Sequence, residues 1–294
     1  MIPDRLKGAP TLVVSSFLFA AMSALARGVS GQVSTGQLSF IRFVTGLVVV
    51  VGYYAVTRKG PNFSRPRVLA ARGFFGGISV IAFFLAIDHL PVGAATLLNN
   101  TSPCYAALFA ALFLGERLTL EVVAGLLAAT VGAGLVAVST VPPGQAFSLG
   151  VGTAAGLFSA VTSGAALTAV RALRNSDTDS MSVLFSFSLV GSLMSLPLAV
   201  FGWRAPSGAV LWGSLGVGLL SITAQFVMTH AFRYVSTAVG TSMTLLTPLF
   251  AWGLGILFLH ERINPLAILG VTVCLAGVLI STGVWRRLPR PGTP

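Results

Sequence analysis

The sequence predicts an all-α integral membrane protein, with ten transmembrane helices arranged as two inverted five-helix repeats and both termini in the cytoplasm. Three observations predict it. Of 294 residues, 55% are hydrophobic and only 9% are charged, against roughly a quarter charged in an ordinary soluble domain. The 18 Lys and Arg and 7 Asp and Glu gather in short clusters between apolar stretches. These stretches run to about 20 residues, the length a helix needs to cross ~30 Å of hydrocarbon. Third, the second half of the chain repeats the first at a constant offset. A soluble enzyme, a disordered tail and a nucleic-acid-binding domain are excluded. A net charge of +11 would suggest nucleic acid in a soluble protein, but in a membrane protein the same excess anchors cytoplasmic loops.

Ten spans are expected near 9–26, 34–57, 68–87, 91–114, 119–140, 147–170, 180–202, 208–232, 236–259 and 264–285. They occupy about 220 residues and leave about seven for each loop or tail, too few for an extramembrane domain. Ala24-Leu25-Ala26 after Arg5 and Lys7 resembles a signal-peptidase site. However, the apolar stretch before it, at about 17 residues, exceeds the ~7–15 of a signal core. Nine further spans follow, and Phe19-Ala20-Ala21-Met22-Ser23 has a counterpart at Phe158-Ser159-Ala160-Val161-Thr162. The first span is therefore expected to be retained. With the N-terminus inside, the cytoplasmic segments hold Arg5, Lys7, Arg58, Lys59, Arg65, Arg67, Arg72, Arg117, Arg171, Arg174, Arg233, Arg286, Arg287 and Arg290. The outer loops hold Arg27, Arg204 and Arg262, and Arg42 lies within the second span. The cation asymmetry sets the orientation.

The repeat is the most informative feature. Leu97-Leu98-Asn99-Asn100-Thr101-Ser102-Pro103 corresponds to Ser242-Met243-Thr244-Leu245-Leu246-Thr247-Pro248 at an offset of 145. The same offset carries Phe113-Leu114-Gly115-Glu116-Arg117 onto Phe258-Leu259-His260-Glu261-Arg262, Gly125 onto Gly270 and Gly132 onto Gly277. The chain divides into repeats at 1–146 and 147–294. Because five is odd, the second repeat is expected to enter the membrane from the opposite side, a plan that places substrate sites near the midplane between halves.

A midspan Pro, an apolar run ending Phe-Leu-x-Glu-Arg and a glycine-spaced helix, present at 103–132 and again at 248–277, resemble the EamA-type members of the drug/metabolite transporter superfamily. Arg42, in Leu38-Ser39-Phe40-Ile41-Arg42-Phe43, also matches an Arg this family tends to carry in its second helix. The resemblance covers essentially the whole chain. It implies ten helices, a central cavity and export of small metabolites, and within the superfamily the chain looks most like bacterial exporters of aromatic amino acids. One departure is that the position 145 after Arg42 is Phe187.

Independently of the family, the prolines mark a site. A helical proline cannot donate to the carbonyl four residues earlier, so Pro103 releases the Asn99 C=O and Pro248 releases that of Thr244. Irregular backbone at midspan depth belongs against protein or in a wet cavity, and Asn99, Asn100 and Thr101 add polar groups at that level. Simple bends glued by amides are the alternative. Gln225 reads equally as a cavity group or as an interhelical hydrogen bonder. Ser159, Thr162 and Ser163 read first as close-packing residues, with Ser163 a cavity candidate. Trp252, one turn past Pro248, is the Trp expected beside the cavity.

All seven acidic residues (Asp4, Asp88, Glu116, Glu121, Asp177, Asp179 and Glu261) fall in loops or at span ends, so the usual coupling carboxylate of a driven transporter is not expected at the midplane. His230, near the cytoplasmic end of the eighth span, is the alternative coupling group. Arg42 is expected to hydrogen-bond carbonyls on the outer side or to act in gating. Cys104 and Cys274 lie within spans and support neither a disulfide nor a metal site. Neither Lys7 nor Lys59 follows the spacing of a phosphate-binding loop. An integral membrane enzyme is the less favoured alternative, and no metal or cofactor is expected. The expectation is a secondary transporter in the cell inner membrane, moving an amino acid or similar amphipathic metabolite by alternating access down its own gradient. Proton-coupled export of a drug or another metabolite is the alternative. The bilayer and the small-molecule substrate are the expected partners, nucleic acid is not, and a monomer is compatible with this plan.

Overall fold

The computed structural model describes residues 4–115, 119–139, 150–173, 178–231, 244, 246–260 and 265–282. Among these the secondary structure is helical, apart from one isolated bridge between Ser30 and Val33. The helices are α1 (Asp4–Val29), α2 (Thr35–Thr57), α3 (Pro66–His89), α4 (Val92–Asn99), α5 (Ser102–Leu114), α6 (Leu120–Ser139), α7 (Val151–Leu173), α8 (Ser180–Phe201), α9 (Gly208–Ala231), α10 (Leu246–Leu259) and α11 (Pro265–Thr282). Local chemistry sets several of the ends. The Ser34 hydroxyl accepts from Gln37 N at the start of α2, and the Asp179 carboxylate accepts from Ser182 N at 3.0 Å at the start of α8. These are N-cap bonds to otherwise orphaned donors. Pro66 opens α3 where a missing N–H costs nothing, and Gly115 closes α5 at a φ of 69°.

Among the described residues, seven stretches are long and apolar enough to cross a membrane: Pro10–Val29, Thr35–Thr57, Pro66–His89, Val92–Leu114, Val151–Leu173, Ser180–Phe201 and Gly208–Met228. Shorter apolar helices lie at Val123–Val136, Leu246–Leu259 and Pro265–Ile280. The expected span at 91–114 is one crossing made of two helices, α4 and α5, broken at Asn100–Thr101. The first part of the span expected at 236–259 lies outside the described residues.

Helices of 4–139 pack chiefly on helices of 151–282. The most extensive pairings are α6 with α11, α3 with α7, α1 with α9, and α2 with α8. At the offset of 145, α3 on α7 becomes α9 on α1, so these contacts follow the internal repeat. The pseudo-equivalent pairs run antiparallel. Along α2 and α8, Gly36 meets Leu198, Gly46 meets Ser188, and Tyr54 hydrogen-bonds Ser182.

Lipid offers helices no hydrophobic reason to associate, so they associate through close backbone approach and interhelical hydrogen bonds. Both devices are present. A Cβ on Gly132 would stand 2.3 Å from Cys274 N, and one on Gly277 the same distance from Ala129 N; the glycine pairs of the repeat are where α6 and α11 touch. Ser79 Oγ donates to Ser159 O at 2.9 Å between α3 and α7, and Ser15 Oγ to Ala224 O at 2.8 Å between α1 and α9. Gly132→Ala is expected to lower detergent-solubilised stability by ~1–3 kcal/mol through overpacking. Gly134→Ala, two residues away with nothing within 4 Å of its would-be Cβ, is expected to leave the melting temperature unchanged or slightly raised.

Candidate functional site

The packing between the two sets of helices opens into a cavity of about 630 Å³, a volume typical of small-molecule sites. Its wall takes Phe19 and Met22 from α1, Arg42 from α2, Arg72, Ser79 and Phe83 from α3, and Asn99, Asn100 and Pro103 from the α4–α5 break. Ser163 and Arg171 of α7, Leu184 and Phe187 of α8, Gln225 of α9, and Thr244 and Thr247 complete it. Large apolar faces thus alternate with a few amides, hydroxyls and guanidiniums.

At the break, Asn100 N still donates to Thr96 O at 3.0 Å, and Thr101 N turns to Leu98 O at 3.2 Å. The next regular bond is Cys104 N to Thr101 O at 3.0 Å. Pro103 has no N–H to offer Asn99, so the crossing separates into two helices. The Asn99 amide donates to Ser159 Oγ at 2.6 Å and so ties α4 to α7, while the Asn100 amide donates to Thr96 O at 2.9 Å. Asn99 therefore both lines the cavity and joins two helices, combining readings that the sequence sets against each other.

Of the expected cavity residues, Asn99, Asn100, Pro103, Thr244, Gln225 and Ser163 lie on its wall, as does Arg42, expected instead in outer-side bonding or gating. Three do not. Thr101 is buried and its hydroxyl donates to Leu98 O at 2.7 Å, consumed by the break itself. Pro248 is buried in α10. Trp252 packs on α4, where a Cβ on Gly93 would stand 2.0 Å from its indole, and it belongs to an apolar cluster with Ala94, Leu97 and Cys104. Ser159 is likewise spent on helix contact. His230 falls in the last turn of α9, and its side chain lies outside the described residues.

Arg42 departs from one of its two expected roles, the bonding of outer carbonyls. Instead of bonding outer carbonyls, its Nε donates to Ser221 Oγ at 2.5 Å, and its guanidinium lies among the rings of Phe43, Phe84 and Phe187 at 5.5–6.0 Å from their centroids. Arg72, counted from sequence among the cytoplasmic loop cations, sits inside α3, and its guanidinium carbon lies 4.3 Å from the centroid of Phe187. Its proximity to Arg58–Arg67 disguised it. The Gly four residues on, Gly76, was the available signal, because a Cβ there would strike Arg72 Nη1 at 2.0 Å. No Asp or Glu lines the cavity among the described residues.

The two ends of the cavity differ. One end continues to Leu173, Thr178 and Ser180, where α7 stops and α8 starts. Beyond the other end, Arg27 Nη1 donates to the carbonyls of Ile87 and Asp88 at 2.8 and 2.7 Å. There Gln37 and Arg204 exchange two hydrogen bonds, Gln37 Nε2 to Arg204 O at 2.9 Å and Arg204 N to Gln37 Oε1 at 3.2 Å. These bonds join α1 to α3, and α2 to the α8–α9 loop. Gln37 was not singled out from sequence, since at a helix start its burial has no local signature.

The model of the EamA-like transporter family matches the chain twice, over residues 6–138 and 150–283. The pseudopaline exporter of Pseudomonas aeruginosa is 32% identical over 284 residues, covering 94% of this chain and 98% of its own. A probable terminal-alkyne amino-acid exporter of Streptantibioticus cattleyicolor is 29% identical, covering 89% and 88%. A solved crystal structure superposes with a TM-score of 0.62 over 96% of this chain and 99% of its own; at 20% identity it shows a common fold alone. The chain is a multi-pass membrane protein and belongs to the EamA-like transporter family.

Proposed function

We propose that this protein exports a small amino-acid-like metabolite across the inner membrane by alternating access, and that the described conformation faces the cytoplasm. One observation carries the reading: a cavity between the two halves is tied shut beyond one end by Arg27, Gln37 and Arg204 and runs out to the ends of α7 and α8 at the other. The cation count assigns the tied end to the outside and the other end to the cytoplasm. A single-site transporter must close one face before it opens the other, and helix-end hydrogen bonds between side chain and backbone can break and re-form as the halves rock.

Further support comes from chain direction. Helices related by the offset of 145 lie antiparallel, as ten spans in two oppositely inserted repeats, with both termini cytoplasmic, would require. The wall suits an amphipathic cargo, with Phe19, Met22, Phe83 and Leu184 for an apolar part and Asn100, Gln225 and Thr244 for polar groups. Two exporter relatives, one of them named for an amino acid, favour the same class. Aromatic amino acids fall within it. A downhill facilitator or exchanger is the mechanism that fits a wall without carboxylates among the described residues, because a gradient-driven carrier needs a group that binds the coupling ion.

The test is counterflow of a labelled amino-acid panel in proteoliposomes. Saturable exchange is expected to persist when proton and sodium gradients are both collapsed. Asn100→Leu and Thr244→Val each remove a polar group from the wall, and a substrate group left unpaired costs ~1–3 kcal/mol, or ~5- to 150-fold in affinity. Wild-type exchange in both variants, or the absence of saturable flux across the panel, contradicts the proposal. A second test reads orientation: a cysteine placed between Lys59 and Arg67 is expected to react with an impermeant maleimide only from the cytoplasmic side, and labelling from outside reverses the assignment.

A further inference from the structure

Two arginines with no Asp or Glu beside them on the wall among the described residues are the least economical feature of the cavity. Arg42 and Arg72 are 6% and 8% exposed, lie on the same wall, and approach the same Phe187 ring, Arg72 at 4.3 Å and Arg42 at 6.0 Å. Arg42 has the Ser221 hydroxyl, but Arg72 Nε is buried without a hydrogen-bond partner among the described residues. Aromatic faces compensate a guanidinium only in part. Like charges at this depth repel in a medium where charge is already costly. Space for the pair is built in, since Gly76 leaves the volume that the Arg72 guanidinium occupies.

The repeat shows that the fold does not require this pair. At the offset of 145, Arg42 becomes Phe187 and Arg72 becomes Val217. The second half thus carries apolar side chains at the matching positions. The charge is an addition to one half, and the ring replacing one arginine is the surface on which both arginines rest. Guanidiniums bind carboxylates through paired, parallel N–H···O bonds, the strongest polar contacts available to a side chain. With no Asp or Glu on the wall among the described residues, the matching anion has to arrive with the cargo.

We propose that Arg42 and Arg72 form a carboxylate clamp on one side of the cavity, and that the preferred cargo is an amino-acid-like compound carrying more carboxylates than ammonium groups. This rests on the export reading above and narrows its substrate class. A net-neutral amino acid satisfies the clamp with its single carboxylate but leaves its ammonium facing an arginine-bearing wall; an added carboxylate removes that mismatch.

Glutamine, glutamate and γ-carboxyglutamate test the clamp, because they share a backbone and carry net charges of zero, minus one and minus two. Binding to the purified full-length chain is read by thermal stabilisation in detergent, with counterflow in proteoliposomes as the second readout and sodium chloride as the inorganic-anion control. Affinity is expected to rise by about tenfold or more from glutamine to γ-carboxyglutamate, as one charged hydrogen-bonded pair would supply. Arg72→Gln is expected to flatten the series and to raise the melting temperature of the unliganded chain by removing like-charge repulsion. Arg72→Lys, which keeps the charge and loses the fork, is expected to retain the order of the series with weaker affinities, and it serves where Arg72→Gln does not fold. Equal affinity across the series together with saturable counterflow of glutamine overturns the clamp while leaving the export reading intact. Protection by chloride equal to that by γ-carboxyglutamate also overturns it, reducing the site to one for any anion. If none of the three compounds binds or exchanges while other amino acids do, the clamp again fails alone; if nothing in the panel is transported, both readings fail.

Discussion

The structure depends on close approach between two halves that lipid gives no hydrophobic reason to meet. In a bilayer, apolar helices gain little by exchanging lipid contacts for one another, so association has to come from dense packing and interhelical hydrogen bonds. The glycines of α6 and α11 bring backbone against backbone, and the Ser79–Ser159 and Ser15–Ala224 bonds join the crossings of α3 with α7 and α1 with α9. Because the most extensive contacts run between the halves rather than within them, the cavity is a place where this packing is interrupted. Rocking the halves would reshape it directly.

A symmetric frame with an asymmetric lining explains how one fold can serve many cargoes. The repeat preserves what packing needs: glycines at 125, 132, 270 and 277, and prolines at 103 and 248. It releases what faces the cavity. Pro103 separates α4 from α5 beside the cavity wall, whereas Pro248 is buried in α10. Arg42 has an aromatic counterpart. Positions freed from packing constraints can be tuned to a cargo without disturbing the α6–α11 contacts.

Much of this was legible in the sequence, for stated physical reasons. Hydrocarbon thickness fixes span length, so the apolar stretches lie close to the bounds of the described helices, the first part of 236–259 lying outside the described residues, and the missing N–H of Pro103 marks the break at Asn100–Thr101. Side-chain direction was less legible. Thr101 and Trp252 carry polar groups at suitable depth, yet local backbone bonding consumes the first and the close approach at Gly93 draws the second to α4. Arg72 was misplaced because charge counting treats a cation one or two turns into a helix as part of the neighbouring loop. Its burial depends on Gly76 and on Phe187, a residue 115 positions away in sequence. Gln37 is illegible in the sequence for the same reason, since its partner Arg204 lies across the fold.

The central claim is that the contacts of Arg27, Gln37 and Arg204 beyond the tied end of the cavity open and close during transport. Gln37→Cys with Arg204→Cys, bridged by a short thiol-reactive cross-linker, tests it most directly in a background where Cys104 and Cys274 are buried. Alternating access predicts that bridging 37 to 204 stops counterflow, that cleaving the bridge restores it, and that the uncross-linked double variant still exchanges substrate. Undiminished counterflow through the bridged protein would contradict the claim, because it would mean that substrate crosses without separating the helix ends that Gln37 and Arg204 hold together.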